Sequence, residues 1–161
     1  MDIAEEINKS LVSAVVRIFA TMPALKVDLA ETIDLSRLAT DDLHEVTGNV
    51  SFAGPALAGV IYLSLPAAFS RRVAGIITGD ETGVDEGSEN DVLGEFTNMV
   101  TGNIKTHMAD KGYNSQLSIP NVLRGVGVSV SCKGFSISRA YQFRVDGTGE
   151  TFRVLALVKA D

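Results

Sequence analysis

Glu95 and Asn98 stand three residues apart in the stretch DVLGEFTNMVTGNIK, Asp91 to Lys105. Gly94 and Gly102 lie four residues either side of the asparagine. A neutral amide both donates and accepts hydrogen bonds and can hold a water, here with a carboxylate one turn before it. The rest of the chain adds little. His44 and His107 are far apart and match no close metal-ligand pattern such as HExxH, so His107 reads as a packing or capping residue. The segment GVGVSVS lacks the lysine–serine ending of a phosphate loop and sits in a strand-like region. Carboxylates cluster in GDETGVDEG, but the twelfth-position glutamate of a calcium loop is missing, and a solvated acidic loop is expected. Without a nucleophile triad, a cofactor motif or a metal set, covalent chemistry by this chain alone is hard to assemble.

The pair must be positioned by a helix. At roughly 100° per residue, Leu93, Phe96, Val100 and Ile104 gather on one side, with His107 near them, as a core face. Asp91, Gly94, Glu95, Asn98, Gly102 and Lys105 gather on the other, so Glu95 and Asn98 project together one turn apart. Two glycines inside a helix cost about 2 kcal/mol relative to alanine. They would bare the backbone on both sides of Asn98 and let another surface come close. Two explanations are open: a docking partner that must receive Asn98, or a neighbouring helix of the same protein. A faint echo, Glu5 and Asn8 in EEIN, has the same spacing but Val12 where the glycine would be.

Other elements follow from periodicity. Ile7, Leu11, Val15, Ile18 and Met22 predict a helix from Ile3 that Pro23 ends by Leu25. LKVDLAE reads as a short strand and TIDLSRLATDDL as a connection. HEVTGNVSFAGPALAGVIYLSLP reads as a hairpin, and AAFSRRVAGIITG as a helix stopped by Gly79. DETGVDEGSEN is expected to be polar loop, with Ser88 or Asn90 capping the Glu95 helix, which should run to Lys111 before Gly112. The last third, SQLSIPNVLRGVGVSVSC, GFSISRAYQFRVD and ETFRVLALVKA, reads as strand throughout, with a turn at DGTGE. Segregated helices and long antiparallel pairs predict an α+β fold, mainly antiparallel sheet with helices packed on one side.

The chain's 161 residues suit a single domain, 1–161, and 45% hydrophobic with 21% charged residues is a globular composition. A net charge of −6 argues against nonspecific binding to nucleic acid or an anionic membrane. Cys132 has no partner for a disulfide and reads as a small filler. The acidic start MDIAEEINKS is no signal peptide, and no apolar run approaches a membrane span, so the expected location is the cytoplasm.

At the Glu95 helix the sequence resembles the CheC/CheX/FliY phosphatases of bacterial chemotaxis, CheX most of all. That pattern is Asp or Ser, three residues, Glu, two residues, Asn, then glycine four later; here it is Asp91, Glu95, Asn98 and Gly102. LSIPNVLRGVG matches at the expected distance, and FATM, GVIYLSLP and FSRRVAGIITG agree in order and spacing, so the likeness spans nearly the whole chain.

The resemblance implies dephosphorylation of phospho-CheY or a related response regulator. The regulator would carry the phosphoaspartate and its own Mg²⁺, and this chain would need no cofactor. Asn98 would orient the attacking water, and Glu95 would contact a regulator lysine. Asp91, Gly94, Gly102 and Lys105 would line the docking face. Homodimers are also implied, with the strand-rich last third offering an edge. The alternatives are a non-catalytic regulator-binding or flagellar-switch-like module, and a scaffold that uses the helix for internal packing.

Overall fold

Apolar residues at three- and four-residue spacing make the first helix, α1 (Ile3–Thr21), and bury Ile7, Leu11, Val15 and Ile18. Asp2 caps it by accepting the Glu5 N–H at 3.3 Å, and it stops one residue short of the position before Pro23. The computed structural model describes residues 1–35, 43–80, 82–131 and 133–161. The other elements are β1 (Val27–Asp34), β2 (Val46–Ala53), β3 (Leu57–Leu65), α2 (Ala67–Thr78), α3 (Glu86–Ala109), β4 (Gln116–Leu117), β5 (Asn121–Arg124), β6 (Ile137–Val145) and β7 (Thr151–Ala160).

The strands form one antiparallel sheet in the order β1-β6-β7-β3-β2, and β4 and β5 both pair with β2. The two expected hairpins are present. β2 and β3 pair from Val46↔Leu65 to Ala53↔Ala58, and β6 pairs with β7 around Phe143↔Phe152. Gly147 and Gly149 close the second turn at φ 86° and 74°, a region glycine enters without steric cost. All three helices contribute to one apolar core with one face of the sheet. Phe19 of α1 stacks on Phe152 at 4.7 Å and meets Phe96 of α3 edge-on at 5.4 Å. A smaller cluster on the other face joins Leu35, Leu43, Ala140, Leu155 and Leu157, with Val128 and Val130 against it. The middle of β7 is therefore buried on both sides, which is why it reads as a nearly unbroken apolar run.

Several expectations are corrected. Asp85, rather than Ser88 or Asn90, caps α3; its carboxylate accepts the Ser88 N–H at 2.8 Å, which holds its pKa below the usual carboxylate range. The second half of the supposed acidic loop is thus helix, and its Glu89 is buried. α3 ends at Ala109 rather than Lys111, while Gly112 turns the chain at φ 92°. The last third is not strand throughout. Between β5 and β6 the described residues form only an isolated bridge at Ser129, because Gly127 and Gly134 at φ 74° and 81° interrupt the extended path. The alternation there instead lays Val128 and Val130 against the second cluster. TIDLSRLATDDL begins inside β1, and residues 36–42 of it, like Cys132, lie outside the described residues. No helix among the described residues is long and apolar enough to cross a membrane.

Candidate functional site

The site is built on α3, which one face anchors firmly. Leu93, Phe96, Val100, Ile104 and Met108 are all buried in the core. Thr97 and Thr101 are buried beside them, and each hydroxyl donates to a carbonyl one turn back, Leu93 O at 2.7 Å and Thr97 O at 2.8 Å. Beneath Thr97 lies Gly48 of β2. A Cβ at Gly48 would stand 2.2 Å from Thr97 Oγ1 and 3.2 Å from the Leu93 carbonyl. This glycine sets how closely the helix lies on the sheet, and sequence reasoning passed over it.

α1 braces α3 along its length. Arg17 donates to the Asn103 side-chain oxygen, whose amide nitrogen donates to Met99 O at 2.8 Å. Near the end of α3, His107 Nε2 lies 2.6 Å from Glu6 Oε2, and this hydrogen bond is the main cause holding the Glu6 pKa below its ordinary value. His107 is therefore a brace between helices, in keeping with a packing or capping role.

The opposite face carries the predicted residues. Asp91 and Glu95 are exposed, Asn98, Gly102 and Lys105 are half-buried, and Gly94 is buried. Among the described residues no hydrogen bond or ion pair engages the Glu95 or Asn98 side chain. Asn8, the look-alike in α1, is occupied: it accepts a hydrogen bond from the Tyr141 hydroxyl. Beside Glu95 runs an open groove of about 550 Å³, lined by Asn90, Asp91, Gly94 and Glu95, by Pro120 of the β4–β5 connection, and by Asn121 and Val122 of β5.

The expected strip is thus bare only in part, since Pro120 covers Gly94. Intramolecular packing does not demand the glycines, however. A Cβ at Gly94 would sit 3.5 Å from Pro120 Cβ, and one at Gly102 would sit 3.9 Å from Leu117 Cδ1; both are ordinary contacts. The fold would accept alanine at each, and the helix would gain by it.

Sequence reasoning missed a polar cluster at the head of the groove. Glu89 is 4% exposed, and the Ser70 hydroxyl of α2 donates to it at 2.7 Å. Arg124 of β5 places Nη2 3.3 Å from Glu89 Oε1, and its Nε donates to Asn90 Oδ1 at 2.8 Å. A glutamate, an asparagine and an arginine on what reads as solvated surface carry no periodic signal; only the fold brings them together.

Comparison with known families matches residues 46–144, well over half of the chain, to the family described as chemotaxis phosphatase CheX. Comparison with curated proteins gives no significant match. Among solved structures, a chemotaxis protein CheX from Desulfovibrio desulfuricans is 22% identical, with a TM-score of 0.82 over 96% of this chain and 99% of that one. CheX from Vibrio vulnificus is 20% identical, at 0.81 over 96% and 99%. A chain of the CheX–CheY–BeF3–Mg²⁺ complex from Borrelia burgdorferi is 19% identical, at 0.78 over 98% of each. At these identities the likeness is one of fold.

Proposed function

The chain belongs to the CheX family of chemotaxis phosphatases, and on that premise we propose that it hydrolyses the aspartyl-phosphate of CheY or a related receiver domain, with Asn98 orienting the attacking water and Glu95 docking a regulator lysine. The observation that carries the proposal is the Glu95–Asn98 pair itself: carried on a firmly anchored helix, with Glu95 on an open groove and neither side chain engaged by a partner among the described residues. The Borrelia complex supports a CheY-type partner that brings Mg²⁺ with it.

Phosphoryl transfer asks for positioning and charge stabilisation more than for covalent help. The regulator brings the electrophile and the metal. The Asn98 amide both donates and accepts, so it can hold a water in line with the phosphorus–oxygen bond. The water oxygen bonds to phosphorus as the bond to the aspartate oxygen breaks. Dihydrogen phosphate leaves with the water's protons, and the regulator keeps its carboxylate. Asp91 and Glu95 make this edge of the groove acidic, which suits a lysine-bearing partner. The proposal includes a homodimer joined through the sheet, in which β1 is one outer strand.

Charge reversal tests the docking role. Glu95→Lys is expected to raise the KM for the phosphorylated receiver by tenfold or more, since like charges at a docking contact cost about a kcal/mol or several. The melting temperature should stay unchanged, because the carboxylate is exposed. Measuring phosphate release against receiver concentration checks this, and an unchanged KM would remove Glu95 from the contact. The glycines give the opposite signature. Gly94→Ala with Gly102→Ala should stabilise the protein to denaturant by about 1–2 kcal/mol yet slow phosphate release, because a methyl at Gly102 then stands where the partner must approach and one at Gly94 narrows the groove against Pro120. A variant that is more stable and fully active would remove the glycines from the docking face, and one that is less stable would return them to internal packing.

A further inference from the structure

We infer that Arg124 is a positioning residue for the docking groove: it ties β5 to the head of α3 and so fixes the wall that faces Glu95. The inference rests on the phosphatase proposal above. β5 is a four-residue strand whose ladder partner among the described residues is β2, in the register Val46↔Arg124 to Asn49↔Asn121. Its first residues, with Pro120, form the groove wall. A short strand at a sheet edge is weakly held by its ladder and needs side chains to set its distance from a helix above it.

Val122 and Arg124 lie on the same side of the strand, and Val122 packs against the core shared with α3. Arg124 then meets the helix through two nitrogens, one in a hydrogen bond and one in an ion pair. Nε meets Asn90, which itself lines the groove, and Nη2 meets Glu89. A looser contact of 3.7 Å to the exposed Glu86 adds little. Glu89 is no incidental partner. Its carboxylate is buried and calls for a cation, and Oε1, which accepts the Ser70 hydroxyl of α2, is the oxygen that Arg124 faces. The guanidinium fork answers that charge and holds Asn90 at once, so α2, α3 and β5 are locked around one carboxylate. Without the fork the wall keeps its ladder but loses its fixed distance from Glu95.

The test must separate positioning from folding. Arg124→Met leaves Glu89 buried without its cation and should lower the melting temperature. Arg124→Met with Glu89→Gln removes that unpaired charge and should recover most of the loss, while the clamp stays absent. Both variants are expected to raise KM for a phosphorylated CheY-type receiver, and Kd for the same receiver loaded with Mg²⁺ and BeF3⁻, on the order of tenfold, with kcat within about twofold of wild type. A double variant with wild-type Kd and KM overturns the inference. Wild-type protein that binds the loaded receiver without speeding phosphate release overturns the hydrolysis proposal, and the clamp is then judged on Kd alone. Wild-type protein that does not bind it at all overturns both.

Discussion

Replacing Asn98 with alanine is expected to slow stimulated phosphate release at saturating protein by about a hundredfold, the scale of losing a positioned reactant, while the melting temperature stays level or rises slightly. The two halves have separate causes. The Asn98 side chain makes no hydrogen bond among the described residues, so its removal leaves no orphaned partner, and alanine is the better helix former. Its proposed work is done inside the partner's site, on a water that alanine cannot hold. The loss should appear in kcat with little change in KM, because Glu95 and the groove wall are untouched. Time courses of phosphate release across receiver concentrations read both parameters, and circular dichroism melts read the fold. Asn98→Asp is informative beside it: the shape is kept, but a carboxylate accepts hydrogen bonds without donating and brings negative charge towards a phosphoryl group.

Gly48→Ala is expected to have the largest effect on stability, a loss of about 2–3 kcal/mol from overpacking. That corresponds to a fall of roughly 5–10 °C in melting temperature for a chain of this size. The added methyl would sit 2.2 Å from Thr97 Oγ1, and that hydroxyl has nowhere inexpensive to go, since it is buried and committed to Leu93 O. Either the hydroxyl turns and loses its acceptor, or α3 lifts off β2. Both routes cost stability, and the second also shifts Glu95 and Asn98. Combining Gly48→Ala with Thr97→Ala removes the nearest clash and should recover much of the loss, giving a clear coupling in a double-mutant cycle. Differential scanning calorimetry of the four proteins checks it. Independent, additive losses would mean that Gly48 does not set the height of the helix.

These predictions divide along what the sequence made legible. The two faces of α3 were readable because Leu93, Phe96, Val100 and Ile104 repeat at helical spacing, and they are buried together. Glu95 and Asn98 were readable as a pair, but spacing alone could not tell them from Glu5 and Asn8. The structure separates the two pairs through Tyr141, a residue 133 positions from Asn8 that periodicity cannot bring there. The hairpins and the Gly79 stop were legible because turn glycines and alternation are local signals. The α3 cap was misplaced because DETGVDEGSEN offers several capping residues, and choosing Asp85 depends on where the chain leaves α2. Glu89 looked solvated because burying a carboxylate is favourable only with Ser70 and Arg124, from two other elements. Gly94 and Gly102 marked the face opposite the apolar stripe, but the cover that Pro120 lends Gly94 was invisible before β4 and β5 were placed.

The central claim is that α3 carries water-positioning chemistry to a phosphate held on another protein. It is tested most directly by phosphate release from a phosphorylated CheY-type receiver, timed alone, with wild-type protein and with Asn98→Ala. Release that saturating wild type speeds by about a hundredfold or more, and that the variant returns towards the receiver's own rate while still binding it, is the predicted result. Release that the wild type leaves unchanged, or that Asn98→Ala speeds as well as the wild type does, would contradict it.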